Sequence, residues 1–181
     1  MAITTSTIRA AALVSLCASA ASANIVTFEG LPPPQFGGTT SYTESGFTIT
    51  TPNGWMGRHA FGNPGSALGT SSSGMLLHLT ASTNAAFALN SLDITIFAGS
   101  DPQSTTITGF LTGGGTVSRT ITAPASGGWI TVNFDSSWSN LTAVEWNPGL
   151  IVYDNLNATI PSPAPAVALA LAACAATRRR R

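Results

Sequence analysis

Lysine is absent from this 181-residue chain, and charge of either sign is scarce, with seven basic and seven acidic side chains in all. The neutral total hides an uneven layout. Arg9 lies near the start, and Arg178, Arg179, Arg180 and Arg181 close the chain. Between Asn24 and Ile160, Arg58 and Arg119 stand alone against the seven acids Glu29, Glu44, Asp93, Asp101, Asp135, Glu145 and Asp154, a net charge of −5. A stretch of that sign has no long-range attraction for a phosphate backbone or an anionic membrane, which excludes nucleic acid as a partner. Cysteine is confined to Cys17 and Cys174, so the middle of the chain has no thiol for a disulfide, a metal or a nucleophile. Gly-x-Ser-x-Gly, His-Glu-x-x-His and phosphate-loop patterns are missing, and His59 and His78 are the only histidines. Seven scattered acids do not define the facing pair that a glycosidase needs. The expectation is a protein without catalytic activity.

What is present at the ends reads as two addresses. Met1 to Arg9 is short and positive, Ala10 to Ala20 is apolar, and Ala21-Ser22-Ala23 precedes Asn24, the three parts of a secretory signal peptide over residues 1–23. Its apolar run is about half the ~20 residues that span a bilayer. At the other end, Pro161, Pro163 and Pro165 form a stiff extended segment, followed by the apolar run Ala166 to Thr177 and the four arginines. As a helix that run rises only about 18 Å, enough for transient entry into a membrane with the arginines held on the cytoplasmic side. Residues 161–181 resemble the PEP-CTERM sorting signal, with Pro163-Ala164-Pro165 in place of the family's Pro-Glu-Pro. The resemblance implies processing by an exosortase-like membrane enzyme after signal peptidase has acted, export to the cell surface, and a setting in which extracellular polysaccharide is made.

Residues 24–160 show no helical periodicity. Gly, Ser, Thr, Asn and Pro punctuate short runs of β-branched and aromatic residues. Strands are expected at Ile25–Phe28, Phe47–Thr51, Met75–Thr80, Phe87–Phe97, Thr105–Thr112, Thr116–Thr122, Trp129–Phe134, Leu141–Trp146 and Leu150–Thr159. Their spacing, with turns such as Gly113-Gly114-Gly115, predicts an all-β antiparallel sandwich between a signal peptide and a C-terminal sorting helix. The apolar parity of Phe87–Phe97 switches across Asn90-Ser91, which predicts a bulge or a corner. Phe87-Ala88-Leu89-Asn90-Ser91-Leu92 and Val152-Tyr153-Asp154-Asn155-Leu156 look like ectodomains that precede such sorting signals. That resemblance implies a jelly-roll sandwich related to carbohydrate-binding modules.

Three features invite chemistry. Asp154 alternates with Leu150, Val152 and Leu156, so a carboxylate is expected in an apolar row. There it must protonate, pair with Arg58 or Arg119, cap backbone N–H groups at a turn, or bind a cation. Related sandwiches hold a structural Ca²⁺ between an early acid and one on the last strand, which implies Glu29 and Asp154 as ligands. Thr51 to Ser66 is the longest irregular stretch and carries Trp55, Arg58 and His59; Trp138 is a second loop-borne aromatic. Trp55 and Trp138 either stack on a sugar ring, with Arg58 beside them, or plug the ends of the sandwich. Trp146 alternates with Val144 and belongs to the core. The leading expectation is a surface-sorted structural or adhesive protein, and the alternative is a glycan-binding module.

Overall fold

The computed structural model describes residues 23–33, 38–71, 74–96, 102–125 and 128–161, with Phe61 described by its backbone alone. The apolar runs of both ends, Ala21, Pro163, Pro165 and the four terminal arginines lie outside the described residues, whereas Ala23, Asn24 and Pro161 lie within them. The described residues belong to one compact unit.

Two antiparallel sheets of six strands each make a jelly-roll-like sandwich. Sheet A contains β1 (Ala23–Val26), β4 (Met56–Gly62), β5 (Gly65–Thr70), β7 (Ala88–Ile96), β10 (Ile130–Asn133) and β12 (Ile151–Thr159). Its order is β10-β7-β12-β5-β4, with β1 also pairing to β12. Sheet B contains β2 (Ser41–Glu44), β3 (Phe47–Thr50), β6 (Leu77–Ala81), β8 (Gln103–Leu111), β9 (Thr116–Ala123) and β11 (Leu141–Trp146), in the order β2-β3-β6-β11-β8-β9. The triglycine turn has φ of 91°, 99° and 89° at Gly113, Gly114 and Gly115, a left-handed run open only to glycine, and it joins β8 to β9.

Alternation along the strands places one face of each sheet inside. Phe47, Ile49, Leu77, Leu79, Ile107, Val144 and Trp146 of sheet B meet Leu68, Leu89, Leu92, Ile94, Tyr153 and Leu156 of sheet A in one core. Trp146 meets Tyr153 edge-on across the sandwich, ring centroids 5.7 Å apart, and the Tyr153 hydroxyl donates to the Pro148 carbonyl at 3.1 Å. Trp146 is core, as expected.

Two sequence expectations need correction. Residues 51–66, expected as a loop, instead hold β4 and the start of β5, a hairpin rich in glycine. The glycines reflect close packing: a Cβ on Gly69 would overlap the His59 ring, and one on Gly65, at φ +94°, would overlap the Glu29 carboxylate. The short polar strand β2 was likewise not expected. The second correction concerns Asp154. The expected irregularity at Asn90-Ser91 exists as the register shift between Asn157 and Ala158, where Asn90 is the extra residue of β7. A second, unexpected shift lies between Asp154 and Asn157, with the extra residue on β12, where Asn155 takes φ 45°. The extra residue turns Leu156 inward with Tyr153, while Val152 and Asp154 point away from the core; Leu150 lies in the preceding turn, 44% exposed.

Candidate functional site: the polar outer face of sheet A

The tip of the β4–β5 hairpin, Asn63-Pro64, reaches the outward side chains of β7 and β12. Asp93 and Asp154 are directly paired across those strands, 8% and 0% exposed. Two asparagines serve both. The Asn63 amide N–H donates to Asp154 Oδ2 at 2.5 Å, and its side-chain Nδ2 donates to Asp93 Oδ2 at 3.2 Å. The Asn155 N–H donates to Asp154 Oδ1 at 2.7 Å, and its Nδ2 donates to Asp93 Oδ2 at 2.9 Å and to the Asn63 carbonyl. The Thr131 hydroxyl completes the set on Asp93 Oδ1 at 2.6 Å. Of the alternatives open for Asp154, the capping of backbone N–H groups at a turn is the one observed.

Burial pushes the Asp154 carboxyl up to about 6 against the pull of these two N–H groups, and the charges of Asp93 and Glu29 add to the rise. Glu29 behaves oppositely: hydrogen bonds from Ser66, whose N–H lies 2.6 Å from Oε1, hold it below the usual carboxylate range, with help from the Arg58 charge. Burial alone lowers the His59 imidazole, whose ring covers Gly69.

Farther down β12 the same face continues as a strip of amides and hydroxyls. Asn90 Nδ2 donates to Asn157 Oδ1 at 3.0 Å and to Thr159 Oγ1 at 2.8 Å. These groups are partly exposed, and Thr131, which is bound to Asp93, is exposed. Asp93 carries the same signal as Asp154, an acid inside the apolar run Leu92-Asp93-Ile94, and sequence reasoning missed it; the roles of Asn63 and Asn155 depend on a chain crossing that no local pattern encodes.

The expected aromatic pair does not come together. Trp138 ends a single turn of 3-10 helix, Ser136–Trp138, before the start of β11; it is 3% exposed and packs on Phe134 with centroids 4.6 Å apart. Its ring plugs that end of the sandwich, the second of its two expected roles. Trp55 lies at the other end, where its backbone N–H donates to Ser71 Oγ at 3.0 Å and its partly exposed ring covers Gly38. Arg58 follows on β4, with its N–H donating to the Pro32 carbonyl at 2.9 Å and its charge beside Glu29.

For Ca²⁺, Glu29 and Asp154 supply carboxylate oxygens, and a carboxyl raised first by burial and then by the charges of Asp93 and Glu29 gains from a divalent cation. Both Asp154 oxygens and Glu29 Oε1 already accept backbone N–H groups. Two carboxylates supply a minority of the usual six to eight ligands, and among the described residues no three His, Cys, Asp or Glu side chains gather as a metal cage. Catalysis gains nothing from Asp93 and Asp154: burial closes them off instead of setting them across an open cleft.

The fold is similar to that of the tandem CBM22-1–CBM22-2 domain of Xyn10C from Paenibacillus barcinonensis, with TM-score 0.50 and 15% identity over 82% of this chain and 49% of that one. This chain therefore spans about half the length of that structure. The CBM22-1 xylan-binding domain of the same protein gives TM-score 0.46 at 13% identity, covering 78% of this chain and 94% of that one. A family 11 carbohydrate-binding module from Clostridium thermocellum, in complex with a β-1,3-1,4-mixed-linked tetrasaccharide, gives 0.38 at 14%, covering 80% and 98%. No protein-family model and no curated protein matches the chain.

Proposed function

We propose that the sandwich is a non-catalytic glycan-binding module whose contact surface is the outer face of sheet A. The observation that carries the reading is the strip Asn90, Asn157, Thr159, Asn155 and Thr131, whose amides and hydroxyls are fixed by hydrogen bonds to one another or to Asp93. A sugar hydroxyl donates and accepts at once, and a side-chain amide offers both functions from one rigid plane. Because the partners are already held, little side-chain freedom is lost on binding. The carboxylates beneath disfavour acidic sugars, so the ligand is a neutral polysaccharide. Trp55, just before β4, extends the surface toward one corner, whereas Arg58 pairs with the core residue Leu68 and stands on the inward side of the strand edge. The similarity to a CBM22 tandem domain supports the same reading at the level of fold.

Ca²⁺ held by Glu29 and Asp154 would neutralise the buried charge and fasten the hairpin tip to β12. Export also belongs to this reading: signal peptidase cuts after Ala23, an exosortase-like enzyme acts near Pro161 to Pro165 during transient membrane insertion, and the domain reaches the cell surface. A structural or adhesive role in the envelope is the second reading.

A neutral-glycan array followed by titration calorimetry tests the binding surface. Asn157→Ala and Trp55→Ala should each weaken binding about tenfold while leaving the folded fraction unchanged, a loss of about 1.4 kcal/mol. Saturable binding that neither substitution alters sinks the proposed face.

A further inference from the structure

Sheets end in strands whose outer N–H and C=O groups have no ladder, and proteins blunt such edges with short strands, charges, prolines or bulges. In sheet B, β2 is an edge of 4 residues, and in sheet A β10 is another of 4. The sheet A edge β4 has 7 residues but carries Arg58, His59 and a register shift. The sheet B edge β9 differs from all of these. It has 8 residues, runs in unbroken register with β8 from Thr116 to Ala123, and contains no proline, no lysine and no acid. Arg119 is its one charge, and that guanidinium is turned away, bound to the Asn133 carbonyl and lying 5.6 Å from the Phe134 ring centre.

The outward side chains of β9 form a hydroxyl ladder with β8. Ser104 meets Thr122 at 2.8 Å, Thr106 meets Thr120 at 3.0 Å and Thr108 meets Ser118 at 3.2 Å. Each hydroxyl has one donor and two acceptor positions, so the β9 members can carry the ladder onto another strand. Cross-strand Thr–Thr and Thr–Ser contacts of this kind stabilise antiparallel pairs.

We propose that β9 pairs antiparallel with β9 of a second copy of this chain, joining two B sheets edge to edge about a twofold axis. Symmetry and charge choose the register. The outward faces stay together only if a residue type meets itself on the axis, because a one-residue slip turns every side chain over. An axis at Arg119 sets two like charges opposite each other. An axis at Thr120 pairs Thr120 with itself, Ser118 with Thr122, Arg119 with Ile121 and Val117 with Ala123, and engages nearly the whole strand. No charge then opposes its like, and three hydroxyl pairs extend the ladder across the junction. The partner is another copy because the edge is its own complement in this register. The inference stands independently of glycan binding.

The full chain carrying Thr120→Cys tests it, since directly paired strands bring Cα atoms to about 4.5–5.5 Å, within disulfide reach. Under mild oxidation, peptide mass spectrometry should find the 120–120 cross-link in most of the protein, whereas Thr43→Cys on β2 should give no 43–43 product. Thr120→Lys places two cations on the axis without touching the core, and in sedimentation it should raise the dimer dissociation constant at least tenfold with thermal stability unchanged. A monomer at all concentrations, a missing 120–120 link, or a dimer indifferent to Thr120→Lys overturns the proposal.

Discussion

Asn63 and Asn155 divide their donors identically, each giving its backbone N–H to Asp154 and its side-chain amide to Asp93. Both carboxylates thus share the same two residues, one at a hairpin tip and one at a bulge, and Asp93 has Thr131 as a further donor. Carboxylate oxygens accept only, so the orientation of both amides is fixed by their partners.

The buried pair makes stability depend on pH. Asp154 rises from the ordinary 3.8 to about 6 on folding, so between those values the folded protein holds a proton that the unfolded chain has lost. Stability from this group is complete below about 3.8, falls as pH rises through about 6, and stays low above it. The neutral-pH cost is on the order of 3 kcal/mol. Urea denaturation in the absence of divalent ions should show this decline between about pH 4 and 6, and Asp154→Asn should flatten it. An unchanged slope in the variant would assign the titration elsewhere.

Calcium should act on the same group. Millimolar Ca²⁺ at pH 7 should raise Tm by several degrees relative to EDTA, as expected when an ion binds the folded state alone. Glu29→Gln and Asp154→Asn should each abolish most of that gain. Calorimetry showing no heat of Ca²⁺ binding to the native protein would remove the metal from the proposal.

The two tryptophans should separate stability from binding. Trp138→Ala opens a cavity in the core at 3% exposure and should cost about 3–5 kcal/mol, with glycan affinity kept in whatever fraction remains folded. Trp55→Ala, at a partly exposed site, should cost less stability and more affinity. Chemical denaturation and glycan titration on both variants check the split.

Thr95 carries a buried hydroxyl, 2% exposed, for which no hydrogen-bond partner is present among the described residues. It shares the outward face of β7 with Asp93. Thr95→Val keeps the shape and removes the unsatisfied group, so the variant should be more stable by about 1 kcal/mol. Destabilisation instead would reveal a bound water or ion that the hydroxyl serves.

How far the sequence carries the fold can be seen at individual residues. Val132 against Thr131 and Asn133, and Leu92, Ile94 and Ile96, show strand periodicity directly, because one face must enter the core; Ile130, which shares the parity of Val132, stays 40% exposed. Ser41–Glu44 shows none, since its polar residues pair at an edge, and Met56–Thr70 hides two strands behind glycines selected by the His59 ring and the Glu29 carboxylate. The shift at Asn90 was legible from the parity switch there, but the second one, beside Asp154 on β12, was not. A single inserted residue on that strand decides which way that carboxylate points. The site followed the same rule: Asp154 could be picked out and Asn155 is its chain neighbour, whereas Asn63 comes from a segment 91 residues away.

Ala23 pairs with Thr159 at one end of sheet A, and Ile160 and Asn24 both lie within 4 Å of where a side chain on Gly46, in the β2–β3 turn, would begin. The chain thus enters and leaves the sandwich at one corner, and a mooring attached there would hold the domain at a single pivot. Strand β9 lies five strand spacings from β2, roughly 24 Å across sheet B. A molecule swinging on such a pivot would carry its unblunted edge outward, toward its neighbours.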